Sequence, residues 1–403
     1  MTGKPEGMWL DVISEVLERS HLFQPDELAT VLDAEMGRLG CRTRIFLADA
    51  EQRALRMIPQ HGVPTVEPFT VDDSLPGEVF RLVRMRPATD DEDPALWVPM
   101  VNGTDRIGVI EFHFAGSVDV ADEALRRRCA TVAGLMGHLI TVTEPKGDLL
   151  FLLRRERPMS AGAELLEQLL PPLTVSCERL VLSAVLEPRY DIGGDGFDYA
   201  FDGPMVRMSI FDGVGRGLRA GLAFTVAVVA IRAARRAGLD LYGQARAADA
   251  ALLEQFSDAR FVTAILAELN MDTGLLRYVN AGHPPPVLLR GGKAVPELRG
   301  GRRLPLGLDD ARFQPGEETL EPGDRLLFYT DGVIEARDAA GEMFGVDRLV
   351  EQAERHAAED LPAPETVRRL ARAVANFYDG PARDDTTLVL ADWSASASRR
   401  TIP

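Results

Sequence analysis

The stretch Leu326-Leu327-Phe328-Tyr329-Thr330 runs directly into Asp331-Gly332, and Arg207–Phe211 runs in the same way into Asp212-Gly213. Short apolar runs of this kind are typical of buried strands. Asp-Gly alone is a common hairpin turn, and this alternative stays open for Asp331-Gly332. Asp212-Gly213 leads instead into a long stretch of helical pattern, Leu218–Ala237. Each pattern therefore predicts a strand that ends in an aspartate with little side-chain bulk beside it.

Two further aspartate motifs stand at comparable places in the chain. Asp195 follows Gly193-Gly194, and Asp384-Asp385 precedes the last apolar run. An Asp-Asp pair by itself is usually part of a solvated loop. Several carboxylates in one pocket are tolerable only when cations lie between them. The order and spacing of these motifs together predict a metal-carboxylate site for phosphate chemistry.

The composition sets broad limits on the kind of protein. The 403 residues suffice for two domains with separate cores, and 46% hydrophobic with 27% charged residues is ordinary for a globular protein. The net charge of −17 comes without a basic block, which argues against nucleic acid as the main partner. Cys41, Cys129 and Cys177 are widely spaced in apolar patterns and predict reduced thiols. The first 30 residues lack a signal-peptide pattern, and the apolar stretch Ala220–Ala234 is too short for a bilayer. We therefore expect a cytoplasmic protein with no membrane partner.

The first 145 residues have the pattern of a small α+β domain. Two helices are predicted within residues 7–37, a short helix begins at Ser74, and a hairpin turns at Asn102-Gly103. Asp122 is the predicted cap of a closing helix. This order resembles a GAF domain, a sensor module, over residues 1–145. The resemblance implies a small-molecule or protein signal without naming a ligand, and a dimerisation unit is the alternative.

Residues 146–170 are predicted to connect two domains. Leu149–Leu170 reads as one charged helix that ends at Pro171-Pro172. It could be a signalling helix that pairs with its twin in a homodimer, or a solvated spacer. At the other end of the chain, residues 394–403 are polar and are predicted to form a disordered tail.

A series of motifs marks the rest of the chain. These motifs are Gln168–Pro171, Ile192–Asp195, Asp212–Gly217, Asn280–Pro285, Pro305–Gly307, Thr330–Ala336 and Asp384–Thr387. The series resembles the bacterial SpoIIE/RsbU-like branch of the PPM metal-dependent serine/threonine protein phosphatases. The resemblance covers a domain of residues 171–393 and implies an αββα sandwich, in which helices cover two antiparallel sheets. The expected fold class is therefore α+β: a PPM-type αββα sandwich preceded by a GAF-like α+β domain and a linker helix.

The resemblance also implies a metal site for two ions, Mn²⁺ or Mg²⁺. Asp195 would bridge both ions beside the Gly213 carbonyl, and Asp212 would hold one of them through its waters. Asp331 and Asp384 would complete the other ion. The four aspartates are thereby the predicted catalytic residues. Two such cations can acidify a water molecule and neutralise the phosphoryl oxygens.

Some assignments stay open, and two positions depart from the family pattern. Asp385 is the second choice for the last ligand, and Asp198 could orient a metal-bound water. Gly196 replaces the usual aromatic residue after the first aspartate, and Arg216 replaces the usual His or Lys. Arg216 cannot act as a general acid at neutral pH but could bind the substrate phosphate bidentately, the alternative being a solvent-facing arginine.

The function implied by the resemblance is hydrolysis of a phosphoserine or phosphothreonine protein by a metal-activated water. The implied substrate is a phosphorylated anti-anti-sigma (STAS) regulator, whose dephosphorylation frees a sigma factor. The alternative is a catalytically weak or dead phosphatase-fold module that acts as a signal-binding scaffold, although no predicted ligand is lost. A nucleotide enzyme would need a glycine-rich phosphate loop, which the sequence lacks. Asn280 and His283 are interpreted as loop-structuring residues rather than catalysts.

Overall fold

A computed structural model describes residues 6–88, 93–187, 190, 193–215, 217–258, 260–311, 314–378, 384–394 and 396–403. The chain forms two compact units. One runs to Arg157 and includes Arg399–Pro403, and the other is Pro158–Ser398. The predicted domain limits and the disorder of residues 394–403 stay predictions.

The N-terminal unit is a mixture of helices and one antiparallel sheet. Its elements are α1 (Glu6–Ser20), α2 (Leu28–Gly37), β1 (Cys41–Ala48), β2 (Ala54–Met57), β3 (Phe69–Thr70), α3 (Leu75–Leu82), β4 (Arg86–Ala88), β5 (Ala95–Asn102), β6 (Asp105–Phe114), α4 (Glu123–Thr143) and α5 (Leu149–Leu153). In the described part the sheet order is β3-β2-β1-β6-β5-β4. Ser74 and Asp122 cap α3 and α4 by accepting backbone hydrogen bonds, as the sequence predicts.

Two apolar clusters lie on opposite faces of this sheet. Residues of α1, α2 and α4 pack with one face, where Ile110 and Phe112 are fully buried. On the other face the rings of Phe46, Phe69 and Trp97 meet at centroid distances of 5.3 to 5.6 Å. The arrangement is compatible with a GAF-like domain, and that likeness stays a prediction.

The connector differs from the single helix expected over Leu149–Leu170. It contains α5 and, in the C-terminal unit, α6 (Ala161–Leu169), with no helix between them. Pro158 explains the gap, since a proline disfavours helical geometry at the residue before it. Ser160 then starts α6 afresh by accepting a hydrogen bond from the Ala163 N–H at 3.2 Å.

The C-terminal unit contains two mainly antiparallel sheets and four longer helices in its described part. Its elements after α6 are β7 (Thr174–Cys177), β8 (Leu180–Glu187), β9 (Gly196–Asp202), β10 (Met205–Gly213), α7 (Leu218–Arg236), α8 (Leu241–Gln255), β11 (Val262–Asn270), β12 (Leu275–Ala281), β13 (Val287–Arg290), β14 (Lys293–Ala294), β15 (Arg302–Arg303), β16 (Gly316–Thr319), β17 (Arg325–Tyr329), α9 (Asp331–Ile334), α10 (Gly345–Ala358), α11 (Ala363–Phe377) and β18 (Thr386–Asp392). The first sheet has the order β15-β12-β11-β10-β9, with β16 beside β12. The second has the order β14-β13-β17-β18-β8-β7, which includes β8, a strand that the sequence analysis missed.

Alternation along the strands builds three apolar layers. Ile210 and Phe328 come from different sheets and share the core between them. The next residue on β10, Phe211, faces the opposite way and packs with α6, α7 and α8. Leu327 on β17 likewise packs with α10 and α11. Helices therefore cover both outer faces of a two-sheet core, which is the αββα sandwich expected from the sequence. No helix in the described ranges is long and apolar enough to cross a membrane.

Candidate metal centre

Asp195 and Asp212 lie at the same end of the first sheet. Asp212 and Gly213 are the last residues of β10, and Asp195 immediately precedes β9. Strands β9 and β10 are paired, with Gly196 opposite Phe211, so the next residues of each strand meet across the pair. The Gly213 N–H donates to the Gly194 carbonyl at 3.1 Å, which ties the two ends together.

Asp331 and Asp384 occupy the corresponding end of the second sheet. Asp331 follows β17 by one residue, and Asp384 precedes β18, which pairs with β17. Thr330 links the two segments, since its hydroxyl accepts a hydrogen bond from the Thr387 N–H at 3.0 Å. Asp331-Gly332 is not a hairpin turn, because Asp331 begins the short helix α9. Any side chain at position 332 would collide with the backbone of Asp385, which explains the glycine.

The aspartates of the two sheets lie close enough for their charges to raise one another's pKa values. The pKa of Asp195 is raised well above its usual value by burial and by the charges of Asp212 and Asp385. Burial, followed by the charges of Asp331, Asp384 and Asp385, raises the pKa of Asp212 to about 7. The pKa of Asp331 is also raised, by burial and by Asp384. Hydroxyl and backbone N–H groups supply the main opposing contributions at these three sites. The predicted aspartates of the two sheets are therefore brought together, and the neighbouring hydroxyl and N–H groups offset their mutual repulsion only in part.

Asp385 has a different task from its neighbour. Its carboxylate accepts hydrogen bonds from the Gly193 and Gly194 N–H groups, the latter at 3.1 Å. Its pKa is nevertheless raised to about 6, chiefly by burial. Asp385 thus fixes the loop that precedes Asp195, whereas the exposed Asp384 faces Asp331 and Asp212. This division favours Asp384 over Asp385 as the last ligand.

The donor set suits a hard divalent cation. Asp195 Oδ2 is buried and has no hydrogen-bond partner among the described residues, which is costly for a carboxylate oxygen. Carboxylates and a backbone carbonyl are the oxygen ligands that Mg²⁺ and Mn²⁺ prefer. Within the described ranges, no three His, Cys, Asp or Glu side chains are already arranged as a ligand set. The residues fit a metal by type, by convergence and by the orphaned Asp195 oxygen.

The positions that depart from the family pattern have different outcomes. Arg216 lies outside the described residues. Gly196 is explained by packing, because a side chain there would collide with the Phe224 ring of α7. The expected role of Asp198 in orienting a metal-bound water stays a prediction. Its two carboxylate oxygens are held by Arg232 and Arg235 of α7, each at 2.8 Å, so it anchors that helix to β9.

The sequence analysis missed the hydroxyl residues of the site. Thr330 and Thr387 are completely buried beside Asp195, and Thr263 lies opposite Asp212 on β11. Their positions could have indicated them, because each lies within three residues of the end of a strand and that end is close to one of the aspartates. The interpretation of His283 as a loop-structuring residue agrees with the structure. Its backbone N–H and carbonyl both bond the Asn280 side chain, at 2.8 and 2.9 Å.

Comparison with known proteins agrees with this geometry. The family described as Stage II sporulation protein E (SpoIIE) matches residues 202–394. Phosphoserine phosphatase RsbU of Bacillus subtilis (strain 168) is 24% identical over 216 residues, which cover 53% of this chain and 63% of that protein. Phosphoserine phosphatase RsbP of the same organism is 35% identical over 86 residues, or 21% of each chain. The chain thus spans less than two thirds of the length of these curated relatives.

Two of the solved structures that are similar to part of this chain are bacterial. The RsbU and RsbW domains of Rv1364c from Mycobacterium tuberculosis are 26% identical with a TM-score of 0.46, covering 54% of this chain and 62% of that one. The SiaA-PP2C domain of Pseudomonas aeruginosa is 25% identical with a TM-score of 0.48, covering 53% and 86%. The family match itself contains Asp212, Asp331 and Asp384. The match to the SpoIIE family is thus confined to residues 202–394, just under half of the 403-residue chain.

Proposed function

We propose that this chain is a metal-dependent protein phosphatase that hydrolyses phosphoserine or phosphothreonine in a partner protein. The observation that carries the proposal is the meeting of aspartates from two sheets at one end of the sandwich, with raised pKa values and an orphaned Asp195 oxygen. The family match and the name of the relative RsbU, a phosphoserine phosphatase, support the same reaction class.

The chain's own residues have distinct tasks in this proposal. Asp195, Asp212 and the Gly213 carbonyl would hold Mn²⁺ or Mg²⁺, two ions in all, from the first sheet. Asp331 and Asp384 would hold them from the second. Bound cations of this kind supply an acidified water and neutralise a phosphate dianion. Asp385, Thr330 and Thr387 keep the ligand-bearing loops in place.

The substrate and the partners are the finer part of the proposal. We assign the substrate to the phosphorylated anti-anti-sigma (STAS) regulators, on the strength of the resemblance to the SpoIIE/RsbU-like branch. Arg216 would bind the substrate phosphate. The N-terminal unit would receive a small-molecule or protein signal as a GAF-like domain, and the chain would act as a homodimer.

Hydrolysis of p-nitrophenyl phosphate, with and without Mn²⁺, tests the proposal. We expect Mn²⁺-dependent turnover in the wild type and a loss of at least 100-fold in Asp331→Asn, since the variant lacks a metal ligand. Asp272→Asn is the matched control, because Asp272 is an exposed aspartate on the β11–β12 turn that pairs with Arg179. A folded wild type that binds Mn²⁺ without turning over this ester or a phosphoserine peptide would favour the scaffold alternative.

A further inference from the structure

A chain of hydrogen bonds crosses from the first sheet to the second behind the metal centre. Thr263 on β11 lies directly opposite Asp212 and hydrogen-bonds to it. The Thr263 hydroxyl also contacts His283 Nδ1 at 2.8 Å. His283 Nε2 contacts the carbonyl oxygen of Tyr329, the last residue of β17, at 3.1 Å. Asp331 lies two residues beyond that carbonyl.

The protons of this chain can be assigned from its chemistry. The Tyr329 carbonyl oxygen can only accept, so His283 Nε2 carries the hydrogen and donates it. Burial lowers the pKa of His283 to about 3, which leaves the ring neutral and Nδ1 without a hydrogen. Nδ1 is therefore an acceptor for the hydroxyl hydrogen of Thr263, as is the Asp212 carboxylate. The imidazole is a fixed, directional link between two sheets rather than an acid or a base.

This link connects the two strand ends whose separation sets the distance between Asp212 and Asp331. Asp212 is carried by the first sheet and Asp331 by the second, and a divalent cation needs its oxygen ligands within a few tenths of an ångström of their proper places. The Asn280 side chain holds the backbone of His283, and the contacts of both ring nitrogens hold the imidazole. We propose that Thr263 and His283 form a strut that sets the distance between Asp212 and Asp331, and that both are positioning residues for divalent metal binding.

The strut should be tightest when metal is bound. The Thr263 hydroxyl has one hydrogen but two acceptors, His283 Nδ1 and the Asp212 carboxylate. With a cation bound, the Asp212 carboxylate would need the Thr263 hydrogen less, and the hydroxyl would donate it to His283 Nδ1. The inference rests on the proposed function, because it assigns Asp212 and Asp331 to one metal centre.

Calorimetric titration of the full-length chain with Mn²⁺, without substrate, tests the strut. We expect Thr263→Val, which keeps the side-chain shape but removes the hydroxyl, to raise the Mn²⁺ dissociation constant about tenfold or more. Thr263→Ser should restore most of the affinity. Thr366→Val is the matched control, because Thr366 is a buried threonine of α11 whose hydroxyl bonds the Pro362 carbonyl. His283→Ala should act in the same direction as Thr263→Val, with the buried His356→Ala as its control.

Two further readouts separate positioning from a loss of stability. At saturating Mn²⁺, Thr263→Val should keep the KM for p-nitrophenyl phosphate within about twofold of the wild-type value. The double variant Thr263→Val/His283→Ala should lose no more metal affinity than His283→Ala alone, since both residues belong to one link. Equal Mn²⁺ affinities for wild type, Thr263→Val and Thr366→Val would overturn the strut while leaving the phosphatase intact. A wild type that binds no Mn²⁺ or Mg²⁺ would instead overturn the proposed function.

Discussion

The fold favours the protonated form of Asp212, whereas the proposed metal binding needs its ionised form. Its pKa is raised to about 7, whereas an unfolded aspartate titrates near its model value of 3.8. A raised carboxyl pKa contributes stability that is fully present at low pH and is lost as the pH rises toward the folded value. The metal-free protein should therefore become less stable between about pH 4 and pH 7.

This sign gives a pH prediction. In chelator, the melting temperature of the wild type should fall from pH 5 to pH 7.5, and Asp212→Asn should flatten that fall because it removes the repelled charge. The lost stability is on the order of a few kcal/mol. Millimolar Mn²⁺ should restore it at pH 7.5 in the wild type by binding the folded state. If calorimetry gave parallel curves of melting temperature against pH for the wild type and Asp212→Asn, charge repulsion at Asp212 would be contradicted.

The Asp384-Asp385 pair gives a second prediction at this scale. Asp384→Asn should weaken Mn²⁺ binding without lowering the metal-free melting temperature, because Asp384 is exposed and its charge repels Asp212 and Asp331. Asp385→Ala should destabilise the metal-free protein by about 1–3 kcal/mol, since the Gly193 and Gly194 N–H groups lose their acceptor. Urea unfolding and Mn²⁺ titration of both variants distinguish the roles, and an unchanged urea midpoint in Asp385→Ala would contradict the assigned anchor.

The residues that the sequence analysis recognised are those whose pattern recurs. An apolar run that ends in Asp-Gly predicts a ligand-bearing strand end, and Asp212 and Asp331 are found there. Adjacent identical residues cannot be told apart in this way. Asp384 and Asp385 differ only in which backbone N–H groups they meet, and that depends on a loop almost 200 residues earlier in the chain.

Helices and strands were predicted correctly where the apolar residues recur at clear helical or strand spacing. Strand β17, Arg325–Tyr329, contains all but the last residue of the stretch Leu326–Thr330, and α7 ends one residue before the predicted Ala237. Strand β8 was missed because every residue from Leu180 to Glu187 is buried, so the alternation that marks a half-exposed strand is absent. The connector was predicted as one helix because its leucines have helical spacing, although Pro158 interrupts it.

The contact between β9 and α7 gives a prediction for Gly196. A side chain at this position would meet the Phe224 ring, so Gly196→Ala should destabilise the protein by about 1–3 kcal/mol through overpacking. Gly134→Ala on α4 is the control with the opposite sign, because no neighbour lies near that position and alanine is the better helix former. Combining Gly196→Ala with Phe224→Leu should recover part of the loss in urea unfolding. A neutral Gly196→Ala would show that α7 can move away from β9 at little cost.

At the scale of the whole molecule, the sequence predicted an α+β chain with a sandwich in its C-terminal part. The signal, the phosphoprotein and the oligomeric state could not be derived, because they depend on surfaces that no local pattern encodes. The start of the C-terminal unit offers a way to approach the regulation. Ala163 and Leu166 of α6 are completely buried in the cluster that contains Phe224 of α7. Arg232 of α7 bonds both the Leu169 carbonyl, at the end of α6, and Asp198.

These contacts predict different outcomes for two shortened chains. A chain that starts at Pro158 keeps α6 and should bind Mn²⁺. A chain that starts at Pro171 lacks Ala163 and Leu166, which leaves their places in the apolar cluster empty. We expect this to lower the free energy of unfolding by about 2–5 kcal/mol. Because α7 follows the end of β10, which carries Asp212 and Gly213, this loss should also weaken Mn²⁺ binding. A misplacement of about 1 Å can cost on the order of 100-fold in rate. If the N-terminal unit regulates the site through the connector, the chain from Pro158 should differ from the full chain in Mn²⁺ affinity, in phosphatase rate and in oligomeric state by light scattering. Identical values for the full chain and the chain from Pro158 would show that the N-terminal unit does not act on the metal centre.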